Sequence, residues 1–397
     1  MARMADGPPI QWLRSGREGL AAMLEAIHGA RQSVALEIYL LEDSEIGARF
    51  RSALGDAARR GVRVRVLVDT FGSLELPADY LSSVNAAGGD CRWFNPSDLG
   101  RFTYRDHRKL LIVDETVAFV TGFNIGTAYN GDGVSEGWRD VGLIVRGGFV
   151  GQLSQAFHGM FGAASFKHRR LARFRRHMAP QRITVDGGDL FLLSPGRGPN
   201  PALDSLINDI ERAATVQLTS AYFLPPRRLR VALCKAARRG MRVQLLFPGI
   251  CDVKMAQMAA RGQYMRLLRA GAEIHEYQPA VLHAKRYILD DVVYAGSANL
   301  DLRSLNINYE ILLRVVDGDL AGEGRASFEE DLARSTRILP ETWSQRSLWS
   351  RITERLAGFL LVRLDARFAM RQLSRLRDSR SSVGGLRVLR RRTGRRG

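Results

Sequence analysis

His107-Arg108-Lys109-Leu110-Leu111-Ile112-Val113-Asp114 and His283-Ala284-Lys285-Arg286-Tyr287-Ile288-Leu289-Asp290 are two copies of one pattern, H-x-K-x4-D. Each is followed by a second apolar run and then by Thr121-Gly122-Phe123-Asn124 or Gly296-Ser297-Ala298-Asn299. In an extended strand, residues two apart share a face, so His107 projects with Lys109 and His283 with Lys285. The apolar runs on either side of Asp114-Glu115-Thr116 and of Asp290-Asp291 predict two hairpins. Folding near residue 115 or 116, and near 291, sets Asn124 across from His107 and Asn299 across from His283. Each half then gathers an imidazole, an ammonium and a carboxamide, and the repetition predicts that the halves share one site. Asp114 and Asp290 lie about 16 Å along an extended chain from their lysines. They are expected to be structural, pinning the turns or a neighbouring backbone.

Lysine use sharpens the pattern. Of 59 basic residues only five are lysine, at 109, 167, 235, 254 and 285, and two of these stand in the motifs. A compact ammonium in place of the planar arginine fork suits close contact with a small anion. Two histidines and two lysines, with no evident metal-ligand cluster and no nucleophile elbow, predict phosphoryl transfer by covalent histidine catalysis without metal or other cofactor. One imidazole would attack phosphorus while the other protonates the departing alcohol and then activates the incoming one. Lys109, Lys285, Asn124 and Asn299 would hold the non-bridging oxygens, where negative charge develops. Ser297 offers the second half a further phosphate-binding hydroxyl that Gly122 denies the first. The downstream acids Asp140 and Glu310 are placed to orient the imidazoles through their other ring nitrogen.

These residues resemble the signature of the phospholipase D superfamily, here present twice. Within it the chain is most similar, from about Ile10 to Leu339, to bacterial cardiolipin synthases of the kind lacking amino-terminal membrane spans. The similarity takes in Leu36-Glu37-Ile38-Tyr39 and Trp138-Arg139-Asp140. It implies His107 as nucleophile and His283 as general acid and base. It also implies transfer of a phosphatidyl group from phosphatidylglycerol to a second phospholipid alcohol, with release of glycerol. Two departures stand out: Thr121 replaces the usual glycine, and five residues instead of six separate Asp290 from Gly296.

A chain of 397 residues favours two domains over one. Ala57-Ala58-Arg59-Arg60-Gly61 recurs as Ala236-Ala237-Arg238-Arg239-Gly240, a helix end, a glycine stop and then a strand. Ala87-Gly88 has its echo in Ala270-Gly271. The expected fold is α/β: two pseudo-twofold-related phospholipase D-like domains, each a mixed sheet flanked by helices, with the active site at their interface. The expected divisions are 1–166, a basic linker or interfacial helix at 167–182, a second half at 183–340, and a tail at 341–397.

The net charge of +18 would by itself suggest nucleic acid. Its distribution argues against that. Residues 1–166 carry 17 basic and 19 acidic groups, and residues 183–340 carry 20 and 18, so both halves are nearly neutral. The excess lies in residues 167–182, with seven basic and no acidic groups, and in residues 341–397, with 15 and four. From Trp343 to Leu376, Leu348, Ile352, Leu356, Leu360, Leu364 and Phe368 form one i, i+4 row beside a row of arginines. That is a basic amphipathic helix, suited to an anionic membrane surface and, with at most seven consecutive apolar residues, too short to span one. The expected partners are anionic lipids, phosphatidylglycerol and cardiolipin, and not nucleic acid. With no apolar segment at Met1 to Gln11, the expected location is the cytoplasmic face of the membrane, peripherally bound. Cys91, Cys234 and Cys251 are scattered and fit ordinary packing in a reducing compartment. The rival readings are a hydrolase acting on the same intermediate and a nucleic-acid phosphodiesterase gripping through the basic segments.

Overall fold

The computed structural model describes residues 7–94, 104–164, 179–196 and 198–361. The expected linker helix at 167–182 and the tail beyond 361 thus fall largely outside the described residues. Seven strands, β1 (Ile10–Leu13), β2 (Ser33–Ile38), β3 (Arg63–Asp69), β4 (Asp90–Phe94), β5 (Lys109–Val113), β6 (Val117–Thr121) and β7 (Gly142–Arg146), form one sheet. Its order is β1-β7-β6-β5-β2-β3-β4. A second sheet uses β8 (Gln181–Val185), β9 (Gly188–Leu193), β10 (Thr215–Ser220), β12 (Arg242–Ile250), β13 (Glu273–Val281), β14 (Lys285–Leu289), β15 (Val292–Gly296), β17 (Glu310–Val316) and β18 (Ser335–Ile338). Its order is β18-β13-β12-β10-β14-β15-β17-β9-β8, and the short strands β11 (Phe223–Leu224) and β16 (Leu300–Asp301) pair separately.

The six strands β4-β3-β2-β5-β6-β7 recur in space as β13-β12-β10-β14-β15-β17. In each set two parallel pairs adjoin an antiparallel meander, giving the mixed sheet expected from the repeat. The strands carrying the motifs are buried along their whole length, and their unbroken apolar runs reflect cover on both faces. Glycine ends the repeated helices as expected: Gly61 and Gly240 have φ of +85° and +84°. The following amides reach back to Ala57 and Ala236, which satisfies carbonyls that would otherwise be orphaned.

Three apolar cores result. One lies on the helical side of each sheet, and a third joins the halves, with Leu110, Ile112 and Val120 of the first and Ile288, Val293 and Ile311 of the second. Helices Gly148–Ala164 and Gly318–Ala333 supply Phe157 and Phe328 to this shared core. The two sheets therefore meet face against face, with the motif hairpins at the junction.

The motif aspartates sit at the turns. Asp114, Glu115 and Asp290 have φ of 52°, 56° and 50°, a region that short polar side chains tolerate better than most. The Asp114 carboxylate accepts from the amides of Arg31, Gln32 and Ser33, and that of Asp290 from Ala214 and Thr215. Each thereby ties a hairpin to the start of the strand beside it.

The carboxy-terminal helix differs from its expected span. Trp343 belongs to the second half's core, stacked on Tyr264 at 5.1 Å, and the helix proper runs Leu348–Phe359 after a break capped by Ser347. Ala357 docks it on helix Lys254–Leu268, and Glu354 turns inward to Arg346. Leu348, Trp349 and Ile352 remain 72%, 73% and 54% exposed.

Candidate active site

The hairpin ladders pair Val113 with Val117 and Leu289 with Val292. Both registers differ by one residue from those expected, and neither ladder extends as far as its histidine. His107 and His283 lie instead on extended segments that cross to the opposite half. Asp106 bridges Tyr309, and Leu282 bridges Arg139, each in parallel. The His107 amide donates to the Tyr309 carbonyl at 2.9 Å, and the His283 amide to the Arg139 carbonyl at 2.8 Å. Asn124 and Asn299 are thus not cross-strand partners of the histidines, as the ideal ladder implied.

The same crossing assigns the acids. His107 Nδ1 lies 3.0 Å from Glu310, and His283 Nδ1 lies 2.6 Å from Asp140. Each acid directly follows the residue whose carbonyl holds that histidine's amide. The dipeptides Arg139-Asp140 and Tyr309-Glu310 therefore grip the other half's histidine at two points, backbone and ring. A carboxylate on Nδ1 fixes the tautomer that leaves Nε2 with its lone pair facing the site. The exchange makes one site out of two half-sites, because neither histidine is oriented by its own domain.

Lys109 Nζ donates to the His107 carbonyl at 2.7 Å. Lys285 Nζ lies 2.7 and 3.1 Å from the two ring nitrogens of His283 and also donates to its carbonyl. Both ammonium groups thus sit beside their own histidine, Lys285 against the ring and Lys109 against the carbonyl. The Asn124 amide oxygen accepts from the Leu40 amide at 3.2 Å, whereas the Asn299 amide oxygen is buried without a hydrogen-bond partner. Ser297 departs from expectation. Its hydroxyl donates to Glu310 at 2.5 Å and accepts from the Ile311 amide, so its hydrogen bonds go to the acid and the strand that carries it. At the equivalent place a Cβ added to Gly122 would fall 2.2 Å from Asp140. Glycine there makes room for Asp140, which is one methylene shorter than Glu310 and has no hydroxyl intermediary.

Burial pushes both histidines, both lysines and Glu310 toward their neutral forms. It holds the His107 pKa well below the ordinary value, and the charges of Lys109 and Lys285 act the same way. It lowers His283, with Lys285 adding to the effect and Asp140 opposing it. Lys109 is brought down to about 7 and Glu310 is pushed up to about 8, each chiefly by burial and each partly restrained by the other. Lys285 is lowered by the same burial. Two lysines held in such surroundings regain their charge most readily when an anion enters between them. The motif patterns did not reveal the aromatic wall: Tyr39 packs on His107 at 4.7 Å between ring centroids, while Tyr129 and Trp138 pack on His283 at 5.4 and 5.6 Å. Their sequence signal was faint, two of the three belonging to segments noted only for an acid or for similarity.

The family model for "Cardiolipin synthase, PLD-like domain" matches residues 23–160 and 206–332, the two halves that bring these side chains together. The chain belongs to this family. As a phospholipase D-type phosphatidyltransferase it is 31% identical over 365 residues to a cardiolipin synthase of Geobacillus sp. (strain WCH70), covering 88% of this chain and 71% of that protein. It is 31% identical over 364 residues to the major cardiolipin synthase ClsA of Bacillus subtilis, with 88% and 74% covered. Among solved structures the fold matches phosphatidylserine synthase of Haemophilus influenzae with a TM-score of 0.70 at 13% identity, covering 93% of this chain and 98% of that one. Polyphosphate kinase of Porphyromonas gingivalis matches with a TM-score of 0.57 at 16% identity, covering 84% and 49%.

Proposed function

We propose that this phosphatidyltransferase makes cardiolipin at a membrane surface through a phosphohistidine. The observation that carries the chemistry is the pair of imidazoles, each held through Nδ1 by a carboxylate of the opposite half. His107 Nε2 attacks the phosphorus of phosphatidylglycerol as the bond from phosphorus to the glycerol oxygen breaks, and His283, entering this step as the imidazolium beside Asp140, gives the departing oxygen its Nε2 proton. A second phosphatidylglycerol then gives its hydroxyl proton to His283 as its oxygen displaces His107 from phosphorus. Lys109 and Lys285 carry the charge on the non-bridging oxygens through both steps. The low pKa of His107 keeps it neutral and nucleophilic in the free enzyme.

Incubating the purified protein with phosphatidylglycerol vesicles is expected to yield cardiolipin and glycerol in equal amounts, with the rate unchanged by EDTA. Phosphatidic acid in place of cardiolipin would show a hydrolase and sink the synthase reading.

The lipid surface is supported by where apolar side chains face solvent. Leu348, Trp349, Ile352, Leu356 and Phe359 are exposed along the carboxy-terminal helix, and Ile250 at the end of β12 and Val253 and Met255 at the start of the helix on which it docks are exposed as well. Arg351 and Arg355, both exposed, lie on the same helix, within a segment of marked positive charge suited to anionic headgroups. This face adjoins the site, since Asp252, next to Val253, accepts from Tyr222 at 2.7 Å and its charge acts on Lys285. No helix among the described residues is long and apolar enough to cross a membrane. Replacing Trp349 and Ile352 together by serine is expected to weaken co-sedimentation with phosphatidylglycerol vesicles by at least ~10-fold, since each side chain contributes about 1.5–3 kcal/mol when buried. Unchanged co-sedimentation would remove this helix from the membrane contact.

A further inference from the structure

Arg105 is a largely buried cation at the edge of the site with no carboxylate among the described residues paired to it. Its Nη1 donates to the Tyr39 hydroxyl at 3.1 Å, and its guanidinium stacks 3.8 Å from the centroid of the Phe71 ring. Its Nε is buried without a hydrogen-bond partner. Among the described residues it forms no ion pair. The acid nearest by its electrostatic effect, Asp69, is already taken: its oxygens accept from the amides of Phe71, Gly72 and Asp106. Burial also raises the Asp69 pKa to about 7, which weakens the charge it presents to Arg105. Burial lowers the Arg105 pKa, and the positive charge of Arg303 adds to the strain. A guanidinium drawn out of water normally has a paired anion, because the desolvation cost is otherwise uncompensated.

The catalytic phosphate does not meet this need, since it has Lys109 and Lys285. Arg105 stands one aromatic ring away from His107 and Lys109. Tyr39 packs on His107 at 4.7 Å and lies 5.0 Å from Lys109 Nζ, with Arg105 bound to its hydroxyl. The feature is also one-sided. Two residues before the other histidine the chain has Val281, and in the second half the Tyr222 hydroxyl donates to Asp252, whose charge acts on Lys285. The site therefore has a cationic flank and an anionic one.

We infer that Arg105, helped by Arg303 and the Tyr39 hydroxyl, forms a second anion subsite that holds the phosphodiester of the acceptor phospholipid. This rests on the synthase reading and adds the group that makes a phospholipid a better acceptor than water or a simple alcohol. The product has two phosphates joined by a three-carbon glycerol bridge. One phosphate on the lysines and the other on Arg105, across the Tyr39 ring, fits that bridge. A planar fork is the natural partner for two oxygens of a phosphodiester, in contrast to the ammonium chosen for the reacting centre.

The test is a competition between acceptors. Wild type, Arg105→Gln and Arg105→Lys are each given phosphatidylglycerol vesicles with ethanol present, and cardiolipin and phosphatidylethanol are measured together. Ethanol has no phosphate, so it reports donor cleavage and transfer alone. Arg105→Gln is expected to lower the ratio of cardiolipin to phosphatidylethanol by about 10- to 100-fold, the scale of a lost charge-assisted contact, and Arg105→Lys to recover part of it. Equal loss of both products would place Arg105 in donor binding or in support of Tyr39 and overturn the subsite, as would an unchanged ratio. Wild type that forms neither product would instead overturn the synthase reading itself.

Discussion

His107→Ala and His283→Ala are each expected to lower phosphatidyl transfer by ~10⁴-fold or more, the scale seen when a member of a concerted catalytic set is removed. Neither change should unfold the protein, because His107 is held by one carboxylate and one aromatic ring, His283 by one carboxylate and two rings, and neither belongs to a main apolar core. The two losses should differ in kind. With a donor whose leaving group needs no proton, His283→Ala should still accumulate labelled phosphatidyl-enzyme in alkaline quench, while His107→Ala should not. Label retained only in His107→Ala would reverse the roles of nucleophile and acid. The exchanged acids extend the test across the halves. Glu310→Gln should reproduce the His107 defect in this partial reaction, and Asp140→Asn the His283 defect. If each acid variant instead copied the defect of its own half's histidine, the crossed arrangement would be wrong in solution. The acid limb of kcat/KM should fall below the ordinary imidazole value of 6.5, since the free enzyme's His107 loses its proton more readily than an exposed histidine.

Much of this site was legible in the chain because its spacing is local. The alternation of a strand decides that His107 goes with Lys109 and His283 with Lys285. The five lysines among 59 basic residues marked the reacting centre, and the five-residue separation of Asp114 and Asp290 from the lysines assigned them to turns. What stayed hidden depends on docking. Nothing in the spacing around Asp140 tells that it serves His283 rather than His107. That follows from the pseudo-twofold apposition of two sheets, which brings residue 139 beside 282 and 106 beside 309. The one-residue register difference has a similar origin. An ideal hairpin would have carried its ladder on to the histidine, but the backbone at Asp106 and Leu282 finds its partner in the opposite half. The bond from Ser297 to Glu310 is hidden for the same reason, since Glu310 belongs to a strand whose pairing the motif does not encode.

Asp331→Ala is expected to cost about 3–5 kcal/mol of stability, because it would strand two buried guanidinium groups at once. Asp331 accepts from Arg139 Nε at 2.7 Å and from Arg286 Nη2 at 2.9 Å, and the Ser327 hydroxyl accepts from both arginines at 3.0 and 2.8 Å. All three charged side chains are at least nine-tenths buried, and Arg139 comes from the first half while Arg286 and Asp331 come from the second. Burial alone would lower the Arg139 pKa, yet its bonds to Asp331 carry it above the ordinary value, whereas in Arg286 burial prevails. One carboxylate thus serves two cations across the junction of the halves. Urea unfolding followed by tryptophan fluorescence should show the loss as a lower midpoint. Replacing Arg139 and Arg286 by methionine together with Asp331→Leu should recover most of it, since an apolar cluster of similar volume can match or exceed a buried ion network. Activity should not return with stability in that triple variant. Arg139 carries the carbonyl that holds the His283 amide and directly precedes the acid on its ring, so its side chain anchors both contacts. Stability recovered with full transfer activity would show that the network serves folding alone; stability without activity would show that it also registers one half's acid against the other half's histidine.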